Sequence, residues 1–109
     1  MDILSLTDER IANMWIKQAE ETGDAKDCYN VGLLYLSCQG VEVDIESAIY
    51  WFFRAAIQGD VEAMNNLGIL YGQQRDFVGA TRWLRRAAEA GDQMAGRNLT
   101  KCLEMMGKE

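Results

Sequence analysis

The residues able to do chemistry are few and scattered. The three cysteines, Cys28, Cys38 and Cys102, are odd in number and match no zinc-ligand spacing. They read as small apolar residues, with one bridging pair as the alternative. Histidine is absent, which removes the commonest general base and the commonest metal ligand. The adjacent carboxylates Asp8-Glu9 and Glu20-Glu21 read as first-turn and solvated charges, not as an acid/base pair. The chain has no glycine-rich phosphate loop, no nucleophile beside a base and no metal cluster. The expectation is a protein that is not an enzyme and holds no cofactor. Arg75, Arg82, Arg85 and Arg86 form a dense basic stretch. Its chemistry would be recognition of an acidic partner, against the plainer reading of a solvated outer face.

The elements that position these residues follow from the whole chain. A length of 109 residues fits one domain with a real core. The net charge of -6 argues against a general nucleic-acid or anionic-membrane binder. No apolar run reaches the roughly eighteen residues of a membrane-spanning helix. The opening M-D-I-L-S-L-T-D-E-R lacks a basic segment followed by a long apolar one, so no secretory signal is expected. With its cysteine usage, this points to a reducing, cytoplasmic setting.

Five columns recur three times. They are Ala12, Ala48, Ala80; Trp15, Trp51, Trp83; Ala19, Ala55, Ala87; Gly23, Gly59, Gly91; and Asp24, Asp60, Asp92. The first step is 36 residues and the second is 32 in every column. Asn30, Asn66, Asn98 and Val31, Leu67, Leu99 keep the same steps, Gly32 matches Gly68, and Tyr35 matches Tyr71. A fixed period in this range is the mark of stacked supersecondary units. All three tryptophans of the chain fall in register.

Within a unit the spacing is helical. Ala48, Trp51, Phe52, Ala55 and Ala56 form one apolar stripe at i, i+3, i+4, i+7 and i+8. Gly59 suits the left-handed position after a helix, and Asp60 can cap the next helix. Gly-Asp is therefore a helix-turn-helix joint. Six helices are expected, at about 8–22, 25–38, 44–58, 61–73, 76–90 and 93–106. Short connections make neighbours antiparallel. The absence of proline suits an all-helical chain. Residues 39–43 link the second and third helices, whereas Arg75 alone holds the matching place later, which shortens 36 to 32.

A-M-N-N-L-G-I-L-Y (Ala63 to Tyr71), Q-G-V-E-V-D (Gln39 to Asp44) and A-I-Y-W-F-F-R-A-A-I-Q-G-D (Ala48 to Asp60) resemble the Sel-one-like repeat. That family is a branch of the tetratricopeptide superfamily, with the pattern A-x-x-x-L-G-x-x-Y-x-x-G-x-G-V-x-x-D-x-x-x-A-x-x-W-Y-x-x-A-A-x-x-G. The likeness runs from Ala12 to Leu99. The departures are Cys38 and Gln74 in place of the glycine after Tyr-x-x, Val31 in place of Leu, and a second copy without the G-V loop. The resemblance implies an all-α, right-handed TPR-like superhelix of about six antiparallel helices. It divides the chain into an N-terminal capping helix at about 1–24, a first repeat at 25–60, a shortened second repeat at 61–92 and a C-terminal capping helix at 93–109. Cysteine-rich secreted members bridge successive units. Cys28 stands at one such position, but Glu20 stands at the other, so that bridge is not expected.

The resemblance also implies a non-catalytic scaffold or adaptor that binds a protein or peptide in its concave groove. A variant is an immunity-type protein that blocks a partner enzyme or toxin. Repeat columns build the core, so specificity falls to variable positions on the first helix of each pair. A groove through Tyr29, Leu33, Asn65, Ile69, Arg97, Lys101 and Met105 is the expected site, apolar at one end and basic at the other. Asn66, with Asn30 and Asn98, either holds a ligand there or bonds the neighbouring helix, the latter being preferred because the column recurs with the core. Residues 1–70 carry 12 acids and 4 bases, and residues 71–109 carry 5 acids and 7 bases. Opposite ends could therefore associate head to tail. Ile3, Leu4 and Leu6 are expected to cap the front. Met105 and Met106 leave apolar surface at the back, which would allow a homodimer through the caps. No nucleic-acid partner and no membrane insertion are expected.

Overall fold

Four aspartates set where four helices begin. Asp44, Asp60, Asp76 and Asp92 each accept, through a side-chain oxygen, the N–H three residues on. The distances to Ser47, Ala63, Gly79 and Ala95 are 3.1, 2.9, 3.0 and 3.1 Å. Each bond satisfies an amide that has no partner in the first turn. The computed structural model describes residues 3–37 and 41–108, with side chains from residue 9 onward. The elements are α1 (Ile3–Thr22), α2 (Ala25–Ser37), α3 (Ile45–Ala56), α4 (Val61–Gln73), α5 (Phe77–Glu89) and α6 (Gln93–Gly107). No strand occurs among the described residues. α1 starts five residues before the expected point, since no glycine or proline interrupts Ile3–Thr7. The expected front cap of Ile3, Leu4 and Leu6, and Cys38 at the end of the expected second helix, lie outside the described side chains.

The joints between α3 and α4 and between α5 and α6 are built alike. Gly59 and Gly91 take φ of +99° and +102°, open to glycine at little cost. The N–H of Asp60 reaches back to the Ala55 carbonyl at 3.2 Å, and that of Gly59 to Ala56 at 2.9 Å. Asp92 and Gly91 repeat both bonds on Ala87 and Ala88, at 3.1 and 3.0 Å. This pair of bonds closes the end of one helix while the aspartate opens the next.

The joint within a pair tolerates two lengths. Asp76 N–H donates to the Tyr71 carbonyl at 2.9 Å, and Asp44 N–H donates to the Tyr35 carbonyl at 3.1 Å. The same closing bond therefore spans a short turn in one pair and a loop four residues longer in the other. In the short turn Arg75 takes φ +63°, the left-handed region that a glycine fills elsewhere.

Packing follows from small residues in the helices. Ala48, Ala55, Ala63, Ala80 and Ala87 are fully buried and let axes approach closely. Gly32 lies under the Phe52 ring and Gly68 under Leu84. Phe52, Leu67, Leu84, Val31 and Cys28 are the largest fully buried side chains. Each helix packs on its sequence neighbours, and α4 also touches α6. The result is an all-α helical repeat solenoid with extents of 49 × 27 × 19 Å.

One repeat column does not pack as expected. Trp51 and Trp83 are 5% and 7% exposed, but Trp15 is 45% exposed. The guanidinium of Arg54 lies 4.9 Å from the Trp51 ring and that of Arg86 5.0 Å from Trp83. Gln18 stands at the matching place beside Trp15 and is turned to Asp27 at 3.4 Å instead.

Candidate functional site

α4 and α6 are first helices of successive units, with α5 between them. Their facing sides leave an open cavity of about 400 Å³. Ile69, Gly72 and Gln73 of α4 form one wall, and Asn98, Lys101, Cys102 and Met105 of α6 form the other. Phe77 and Leu84 of α5 make the floor, and Arg75 stands at the turn. The floor is apolar because α5 presents the stripe that packs on Gly68. Its cationic edge comes from Lys101 and from Arg75, whose guanidinium lies 5.5 Å from the Phe77 ring centre. Burial pushes the Cys102 thiol up, so it enters this surface protonated and apolar.

The structure brings Ile69, Lys101 and Met105 together in this cavity. Asn65 lies beside it on α4, and its Oδ1 accepts a hydrogen bond from Asn98 Nδ2 at 3.2 Å. That bond ties α6 to α4. Tyr29 leans on Phe52, with ring centres 5.8 Å apart. Burial first, then a hydrogen bond to the Glu62 carboxylate, raises its phenol pKa, while a hydrogen bond from Asn66 acts the other way. Tyr29 and Asn66 therefore join α2 to α4. Leu33 and Arg97 are exposed on α2 and α6, outside the cavity lining.

Of the arginine stretch, Arg82, Arg85 and Arg86 share an outer depression on α5 with Val78, Thr81 and Glu89, also of about 400 Å³. Arg75 parts from them and faces the α4–α6 cavity. Reading along the sequence groups it with its neighbours in number, but the reversal of the chain at the turn carries it to the other side. Phe77, Leu84 and Cys102 were missed as site residues because they occupy core columns. Phe77 and Leu84 stay buried like Phe52 in the preceding unit, whereas Cys102 is half-buried where its column-mates Leu34 and Leu70 are buried.

The fold and this site define a class: an all-α repeat solenoid with an apolar groove edged by cations. The Sel1 repeat family model matches residues 25–60 and 61–92, so the chain belongs to the Sel1 repeat family. It is also similar to two crystal structures. One is of a Sel1 repeat protein from Oxalobacter formigenes, with 35% identity and a TM-score of 0.75, covering 81% of this chain and 27% of that one. The other is of c5321, a protective antigen present in uropathogenic Escherichia coli strains displaying an SLR fold. It has 33% identity and a TM-score of 0.76, covering 84% of this chain and 20% of that one. This chain thus spans about a quarter and a fifth of the lengths of those two proteins. Sel1 repeat proteins are generally scaffolds for protein interaction.

Proposed function

We propose that this chain is a non-catalytic adaptor that receives a segment of another protein in the groove between α4 and α6. The observation that carries this reading is the open cavity itself. It combines half-buried Cys102, seated over the buried Phe77 and Leu84, with an apolar wall at Ile69 and Met105 and cations at Lys101 and Arg75. A large side chain with a nearby carboxylate on the partner fits that pairing, since apolar anchors supply affinity and edge charges supply orientation and speed. The net charge of -6 makes a protein a better partner than a nucleic acid. Among the described residues no helix is long and apolar enough to cross a membrane. Cys28 and Cys102 are both free thiols, which suits a reducing, cytoplasmic setting.

The test is a paired capture from native extract, read by mass spectrometry and repeated with the purified partner by calorimetry. Wild type is compared with Ile69→Glu/Lys101→Glu in the groove and with Arg82→Glu/Arg86→Glu on the outer face. A protein held by wild type and by the outer-face variant, and lost from the groove variant, supports the groove. A protein lost only from the outer-face variant moves the site to α5 and overturns it.

A further inference from the structure

The outer face of α3 carries large apolar side chains that the fold does not cover. Phe53 meets Trp83 of α5 edge-on, with ring centres 5.8 Å apart, and still keeps 41% of its surface in solvent. Tyr50 and Ile57, on the same face, are more open still. A neighbouring second helix therefore leaves this face exposed. Its openness belongs to the outside of the solenoid and not to one unit's place along it.

α5 presents the same columns with different chemistry. At the step of 32 residues, Arg82, Arg85 and Glu89 stand where α3 has Tyr50, Phe53 and Ile57. The arginines are therefore not required by the fold, which accepts aromatic residues at those places. They line the outer depression of about 400 Å³ together with Arg86, and Glu89 is the only acid in that lining. Arg82 is three and four residues from Arg85 and Arg86, a spacing at which like charges on a helix repel. Among the described residues Arg82 and Arg85 make no ion pair or hydrogen bond. Trp83 joins the two faces. Phe53 touches one side of the indole, and the Arg86 guanidinium lies over it at 5.0 Å. An exposed aromatic ridge thus runs directly into an uncompensated cationic one.

We propose that the outer face of α3 and α5 docks an acidic segment of another protein that also carries large apolar side chains. The apolar side chains cover Tyr50, Phe53 and Ile57, and the carboxylates pair with Arg82 and Arg85. Carboxylates meet guanidinium groups two bonds at a time, which fixes register as well as charge. Aromatic residues and arginine side by side are the composition of interface centres. A long polyanion fits less well. Beyond the arginines it meets residues 1–70, which carry 12 acids and 4 bases, so a short acidic segment is favoured over a nucleic-acid backbone. This face shares no residue with the lining of the α4–α6 groove, and the two surfaces are used independently.

Fluorescence anisotropy with the whole chain and defined probes is the test. The main probe is a labelled peptide of about fifteen residues with leucines at helical spacing among glutamates. Three others accompany it: the same peptide with serine for leucine, the same with lysine for glutamate, and a single-stranded oligonucleotide. Wild type is expected to bind the main probe with a Kd of about 100 μM or tighter, and each other probe at least about tenfold more weakly. Arg82→Glu/Arg85→Glu and Tyr50→Ser/Ile57→Ser each weaken binding by about tenfold or more. Arg82→Gln/Arg85→Gln repeats the charge loss without reversal, and circular dichroism matches the folds. Added salt weakens the wild-type contact. Ile69→Glu/Lys101→Glu leaves it unchanged, so failure here and failure of the groove are read from different variants. No binding of the main probe up to about 1 mM overturns the proposal. So does binding that survives loss of either the arginines or the apolar pair, or that is lost with the groove variant. An oligonucleotide that binds as tightly as the peptide overturns it in favour of a general anion site.

Discussion

Leu84 of α5 presses on the bare backbone of Gly68 in α4, so closely that a Cβ on the glycine would lie 2.5 Å from Leu84 Cγ. The Ala80 carbonyl, 3.3 Å from the same point, bars retreat along the helix. Gly68→Ala gains about 1 kcal/mol of helix propensity but overpacks the contact at a cost of about 1–3 kcal/mol. The net expectation is a loss of up to about 2 kcal/mol in urea unfolding. A stabilised variant would show that α5 moves away freely, which the shared packing of α4, α5 and α6 argues against.

Arg75 holds a backbone conformation that a non-glycine residue adopts at a cost of about 1 kcal/mol. Its guanidinium over Phe77 returns part of that, about 0.5–1 kcal/mol. Arg75→Gly is expected to be more stable than Arg75→Ala by about 1 kcal/mol. Both lose the guanidinium and its contacts, and only alanine keeps the backbone cost. Thermal unfolding of the two variants side by side reads the difference, and equal stabilities would refute the backbone cost.

The fold was legible in the sequence because its causes are local and repeated. Gly59 and Asp60 specify a joint by their own conformational and hydrogen-bonding chemistry, whatever surrounds them. Asp44 and Asp76 do the same at the joints within pairs, and their matching steps were available to be read. The groove was legible only in part. Ile69, Lys101 and Met105 share a wall because helical spacing places them, but Phe77 and Leu84 form its floor through the packing of a third helix. Trp15 illustrates the limit best. Its type and column are those of Trp51, yet burial depends on which helices lie next to it, and the column does not contain that information.

Ser47 tunes the cap of α3. Its hydroxyl donates to Asp44 Oδ2 at 2.7 Å and its N–H to Oδ1 at 3.1 Å. The hydroxyl bond first, then the amide, hold the Asp44 carboxyl below its ordinary value. A folded value below the unfolded one means that this carboxylate stabilises the protein above the unfolded value. The contribution disappears as pH falls through the folded one. Ser47→Ala is expected to raise the Asp44 titration midpoint, measured by carbon-detected NMR. Asp44→Asn is expected to flatten the stability profile in that acid range. An unchanged midpoint in Ser47→Ala would mean that the backbone amide alone sets the shift.

Trp51 and Trp15 should respond differently to the same truncation. Trp51 is 5% exposed, lies edge-on to Tyr50 with ring centres 5.3 Å apart, and is covered by Arg54. Trp51→Ala removes a core indole and is expected to cost about 3–5 kcal/mol. Trp15 leaves almost half its surface in solvent and borders a cavity of about 150 Å³ with Gln18, Asp27 and Asn30. Trp15→Ala is expected to cost under about 1 kcal/mol. Urea unfolding of both variants tests this. Equal losses would show that α1 buries Trp15 as its column-mates are buried.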